Sequence, residues 1–167
     1  MNKGPIWYIG LFMAAVLIQV LFMDAIQFSG FVNPYFYVIF VLLLPLYVPR
    51  YLQLLLGFIL GISIDVFSNT PGIHASATVF MAFLRPYFIN STNVDDQDRG
   101  KIPSVMNMGA SWFMKYSAVL ILLHHIFLFY IEMFTFEDFF NTFMRSVLSA
   151  LFTFVMIVVS QFLIFRK

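Results

Sequence analysis

The chain has 167 residues, 62% of them hydrophobic and 10% charged, with 23 phenylalanines, no cysteine and a net charge of +1. That much apolar surface exceeds what a soluble domain of this size can bury, so lipid is the expected solvent for most of it. The missing cysteines exclude disulfides and thiolate metal centres, and so small a net charge gives no reason to expect nucleic-acid binding.

A bilayer core about 30 Å thick takes roughly 20 apolar residues of helix. Six segments meet that need, which predicts an all-α polytopic membrane protein, a six-transmembrane-helix bundle with 1–167 as a single transmembrane domain. The first span is 6–23. Lys3 ahead of it resembles the start of a signal peptide, but the run is long enough to span and Met23-Asp24-Ala25 is a poor cleavage site, so it is expected to stay as the first helix. The second span, 35–47, is short and bracketed by Pro34 and Pro49, with Pro34 placed to start a helix and Pro45 to kink or end it. The third is 51–67 and the fourth 74–89. A hydrophilic loop follows at 90–104, carrying Asp95, Asp96, Asp98, Arg99 and Lys101 and too short to form a domain. The fifth span is 112–134 and the sixth 139–165.

An even number of spans puts both termini on one side. Lys3, Arg50, Arg99, Lys101, Arg166 and Lys167 then share that side, and Arg85 and Lys115 lie at helix ends near it. The opposite loops, 24–34, 68–73 and 135–138, hold no lysine or arginine. The positive-inside rule makes the termini cytoplasmic, with Arg145 the exception to the pattern.

Intramembrane polar residues are the candidate functional positions. Asp24, Asp65 and Glu132 sit near the outward ends of the first, third and fifth spans, where a carboxylate opposes the helix dipole. Asp24 and Glu132 read as solvated markers of the membrane edge. Asp65 differs: Val66 and Phe67 continue the apolar run, and Gly57, Gly61 and Asp65 are spaced i, i+4, i+8, which places them on one helix face. Glycines on such a face admit close backbone approach, so Asp65 is expected to be packed and partnered. Arg145 is open to two readings, pairing with Asp65 or snorkelling to the interface, and His74 is a second candidate partner. His124 and His125, mid-way along the fifth span, read as neutral histidines bonded to a neighbouring helix rather than as a relay or metal site, with Gln19 as a candidate partner. Ser146, Ser149, Ala150, Thr153 and Ser160 mark a helix–helix seam. Gly10 and Ala14 form a weaker small-residue pair. No nucleophile–base pair, phosphate loop or metal motif is present, so no enzyme and no cofactor is predicted.

The stretch Gly57, Phe58, Gly61, Asp65, Ser68, then Gly72, Ile73 and Ala75, has the form G-F-x-x-G-x-x-x-D-x-x-S followed by G-[IV]-x-A. It resembles the signature of the MreD family of bacterial rod-shape-determining membrane proteins. Chain length, the short proline-bounded second span and the lack of a soluble domain are similar to that family too. The resemblance implies a non-catalytic elongasome subunit in the bacterial cytoplasmic membrane. Such a subunit binds the MreC scaffold and works with MreB, RodA and a penicillin-binding transpeptidase in directing peptidoglycan synthesis and cell shape. It places a partner-binding and packing surface on Gly57, Gly61, Asp65, Gly72, His74 and Arg145, with the partner's membrane helix along the two glycines. The family is also distantly similar to the six-helix substrate-binding components of energy-coupling-factor vitamin transporters. That implies a second reading, a small-solute site opening outward near Asp65, His74 and Arg145, with Gly10 and Ala14 docking a coupling subunit.

Overall fold

The structure, a computed structural model, describes residues 4–24, 31–92, 101–134 and 138–164. Its elements are helical, with no strand among the described residues. They are α1 (Pro5–Ile18), continued by a π-helical turn Gln19–Met23; a 3-10 turn Phe36–Val38 leading into α2 (Ile39–Leu42); α3 (Arg50–Ser68); α4 (Ile73–Ser91); α5 (Val105–Met108); α6 (Ala110–Met133); and α7 (Phe139–Ile164). Four helices are long and apolar enough to cross a membrane: Pro5–Met23, α3, α6 and α7. The chain is a helical membrane protein by that measure. The fourth expected span exists as α4, equal to α3 at 19 residues, but His74, Thr78, Arg85 and Asn90 leave it less apolar.

The second expected span is corrected in form but not in course: the chain still passes from the Asp24–Ser68 contact at the end of α3 back to the start of α3 at Arg50. Residues 35–47 do not form a membrane-length helix: α2 has four residues, preceded by a three-residue 3-10 turn. Pro34 and Pro45 remove backbone donors at either end. The segment is nevertheless the centre of the molecule, since every residue from Tyr35 to Leu44 is buried. Irregular backbone at membrane depth is stable only where protein groups satisfy it, and here side chains from the surrounding helices do so.

At its start, Gln19 Nε2 donates to Pro34 O at 3.1 Å, and Gln19 Oε1 accepts from Tyr37 N at 3.3 Å. Ser149 Oγ accepts from Asn33 N at 3.1 Å, and Thr153 Oγ1 from Tyr35 N at 2.9 Å. At its end, Arg85 donates through Nη2 to Leu44 O and to Pro45 O, and the Tyr116 hydroxyl donates to Leu42 O at 2.9 Å. Arg85 Nε and Nη1 donate to Tyr116 Oη (2.8 Å) and Gln53 Oε1 (3.1 Å), so one fully buried guanidinium joins α2, α3, α4 and α6. The carbonyls past a helix C-terminus are orphans that carry the negative end of its dipole, and a cation there meets both needs.

The small-polar stripe of the last helix packs as expected: Ser146, Ser149, Ala150, Thr153 and Ser160 are all buried. In contrast, α1 presents Ile6, Ile9, Met13 and Leu17 outward, an apolar face suited to lipid.

Candidate functional site

The α3–α4 hairpin is antiparallel and exceptionally close. A methyl at Gly57 would sit 3.2 Å from Ala82 Cβ and 3.3 Å from Thr78 O; one at Gly61 would overlap Ala75, at 2.6 Å from His74 O and 2.7 Å from Ala75 N. The glycine face expected to seat a partner's helix is therefore occupied by α4 of the same chain. No open groove remains along Gly57 and Gly61, both of which are buried.

The turn closing this hairpin needs two left-handed residues, Asn69 (φ 55°) and Gly72 (φ 87°). Asparagine and glycine are the residues that enter this region at least strain. Gly72 caps α4 without a side chain of its own. Asp65 supplies the missing acceptor from the preceding helix. Its Oδ2 accepts from Gly72 N (3.1 Å) and Ala75 N (2.9 Å), and its Oδ1 from His74 N (2.9 Å), Thr70 Oγ1 (3.0 Å) and His74 Nδ1 (3.1 Å). A carboxylate near its own helix C-terminus is ill placed, but this one lies at the N-terminus of α4, where the dipole and the free N–H groups favour it. Asp65 is packed and partnered, as expected, within the chain. Val66 and Phe67 beside it stay exposed, so burial belongs to one face only.

Arg145 is not its partner. The guanidinium pairs with Glu132 at 3.6 Å and lies 4.4 Å from the Phe129 ring centroid. Geometry explains the choice: Asp65 Oδ1 and Oδ2 already accept five hydrogen bonds from α4 and its turn, whereas Glu132, on α6, lies beside the start of α7. Asp24 is exposed, as expected, yet it accepts from Gln19 Nε2 (2.8 Å) and Ser68 Oγ (3.0 Å), tying α1 to the end of α3.

His124 and His125 are fully buried and bonded to neighbours, although not to Gln19, which serves the 34–37 backbone. His124 Nε2 meets the Tyr37 hydroxyl at 2.9 Å. His125 Nδ1 faces Ile121 O at 2.8 Å and therefore carries hydrogen, which leaves Nε2 to meet Thr153 Oγ1 at 3.1 Å. The rings of His74, His124 and His125 all pack around Tyr35, with centroids 5.2, 6.2 and 5.3 Å away. Among the described residues no group of His, Asp and Glu side chains is placed to hold a metal ion.

Beside the Asp65 clasp lies a cavity of about 330 Å³, with Asp24, Asn33, Tyr35, Thr70, His74 and Glu132 among its walls. Its walls are polar, whereas those of three further hollows among the described residues are almost wholly apolar.

No family model, curated protein or solved structure matches this chain. The residues that organise the site stand on their own geometry. Several carry no sequence signal as site residues: Thr70, Tyr35, Gln53, Tyr116 and Arg85, the last visible in the sequence only as a charge for orientation. The available hint was the prolines at 34, 45 and 49, whose missing donors imply that something else must satisfy the backbone around them.

Asp65→Asn turns one acceptor oxygen into a donor facing N–H groups, so it should lower stability by roughly 2–4 kcal/mol, the loss of about two charge-assisted bonds. Unfolding of the detergent-purified protein measures this; an unchanged midpoint would remove Asp65 as the clasp.

Proposed function

We propose that this chain is a non-catalytic integral membrane subunit of the rod complex, an MreD-type protein of the bacterial cytoplasmic membrane with both termini cytoplasmic. In this role it binds an MreC-like bitopic scaffold and, through it, acts with MreB, RodA and a penicillin-binding transpeptidase to direct peptidoglycan synthesis and cell shape. The observation that carries the reading is the convergence of the signature. Gly57, Gly61, Asp65, Gly72 and Ala75, scattered over nineteen positions of sequence, meet in one hairpin clasp. A rigid hairpin capped at one end, in a bundle with lipid-facing outer helices, suits an adaptor that presents a fixed surface to another membrane protein.

The partner's seat lies off the glycine face, because α4 fills it. Variants at Gly61 or Asp65 would therefore report on the integrity of the hairpin, and the test uses the unaltered chain. Pull-down from native membranes in mild detergent should recover a coiled-coil scaffold with one membrane helix. Its repeated absence, with the protein intact, would end the reading.

The polar cavity favours a second reading, a solute-binding component of a transporter. Recovery of an ATPase module in the same pull-down would select it.

A further inference from the structure

We infer that the cavity beside the Asp65 clasp is a binding site for an ammonium group, carried by a lysine side chain of a partner or by a small free amine. The inference concerns the cavity itself and goes beyond both readings above.

Among the described residues, Asp24 and Glu132 line the cavity, and no lysine or arginine does. Arg145 pairs with Glu132. The partners of Asp24 are the neutral Gln19 amide and Ser68 hydroxyl. Asp65 lies behind the wall, held by backbone N–H groups, Thr70 and His74. One arginine thus stands against three carboxylates, and the cavity favours an added cation.

The second observation is His74. It is 95% buried, at 5% exposure, and forms part of the cavity wall. Its Nδ1 is committed to Asp65 Oδ1 and Thr70 Oγ1, while its Nε2 makes no hydrogen bond among the described residues and is absent from the atoms sealed off from solvent. A carboxylate only accepts, so Nδ1 carries hydrogen, and in the neutral ring Nε2 offers a lone pair. Asp65 therefore orients an imidazole whose free nitrogen can accept from a ligand's N–H. The Tyr35 ring, at 7% exposure and also in the wall, adds an aromatic surface that a cation can approach. An acceptor, an aromatic ring and an unneutralised carboxylate are complementary to one ammonium and offer little to an anion. The volume of about 330 Å³ accommodates a lysine side chain or an amine of similar size.

The test titrates the full-length protein in nanodiscs by calorimetry at low and physiological salt. The probes are N-acetyl-lysine methylamide, its neutral isostere N-acetyl-norleucine methylamide, and putrescine. Saturable binding of an amine, at least tenfold tighter than the norleucine compound and weakened by salt, is the expected result. Tighter binding of the blocked lysine identifies a partner's side chain as the source; tighter binding of putrescine identifies a free solute. Asp24→Asn should weaken the amine at least tenfold with little change in melting temperature, because Asp24 is exposed, the amide oxygen still accepts from Gln19 Nε2 and the amide nitrogen can donate to the Ser68 hydroxyl. If that variant melts lower, Glu132→Gln provides the same comparison. Equal binding of the lysine and norleucine probes, no binding of either amine, or full affinity in both charge-neutral variants would each overturn the inference. A scaffold recovered by pull-down alongside any of these would leave the adaptor reading standing and remove only this site.

Discussion

Gly61→Leu should yield no folded, monodisperse protein. The β-carbon itself, before any of the leucine side chain, would lie 2.6 Å from His74 O and 2.7 Å from Ala75 N. Those neighbours are backbone, so no rotamer change relieves the overlap. Overpacking a core against yielding side chains costs about 1–3 kcal/mol; against backbone the expected cost is at least the top of that range. The two helices must separate, and separation draws Asp65 away from Gly72, His74 and Ala75, so two sources of stability fail together. A graded series checks the mechanism. Gly57→Ala meets only moderate crowding, 3.2 Å to Ala82 Cβ, and should lose about 1 kcal/mol or less. Gly10→Ala meets nothing within 4 Å and should stay within about 0.5 kcal/mol of wild type. Size-exclusion profiles and thermal melts in detergent read all three. A Gly61→Leu protein that elutes and melts like the wild type would refute the hairpin packing.

Arg85→Met should be the most damaging substitution away from the Gly61–Asp65 clasp. Two effects oppose each other here. Removing a guanidinium that forms no ion pair among the described residues relieves the desolvation of a buried charge. It also strands the Leu44 carbonyl and Gln53 Oε1, and takes one donor each from the Pro45 carbonyl, which keeps Val48 N, and the Tyr116 hydroxyl, which keeps Leu42 O. Each stranded buried group costs about 1–3 kcal/mol, while the charge is already compensated by bonds on every side of the fork. Loss is therefore expected to win, by roughly 3 kcal/mol. Arg85→Lys separates charge from geometry: a lysine keeps the cation but cannot reach α2, α3 and α6 at once with one nitrogen, so it should recover less than half of the loss. Thermal melts measure both. Full rescue by lysine would show that charge alone matters, and a neutral methionine variant would remove Arg85 as the cap of the short helix.

Both predictions concern how the polar groups of this bundle are satisfied, and that is where sequence and structure part. Helix by helix, α1, α3, α4, α6 and α7 lie close to the expected spans, because an uninterrupted apolar run leaves the backbone no other way to satisfy itself in lipid. The segment 35–47 looked like a sixth such run. Its apolarity reflects burial inside protein, which hydropathy cannot tell from immersion in lipid, and the flanking prolines break the helix there. The stripe of Gly57, Gly61 and Asp65 marked the right face of α3. Whether another chain or the next helix would cover it depended on the path of the turn at 68–72. Arg145 was drawn toward Asp65 by sign and depth alone; in the fold Glu132 is the neighbour it meets.

The sequence by itself determined a lipid-solvated helical protein, the approximate helix limits, and the burial of Asp65, the seam residues of α7 and the paired histidines. These follow from local rules: run length, residue spacing along a helix, and the penalty on a lone charge in hydrocarbon. Only the tertiary structure decided which groups answer one another: Asp65 with the start of α4, Arg85 with the end of α2, Gln19 and Thr153 with its beginning. Those pairings join residues from 9 to 118 positions apart, and proximity at such separations arises from the packing of whole helices, which no local pattern of residues encodes.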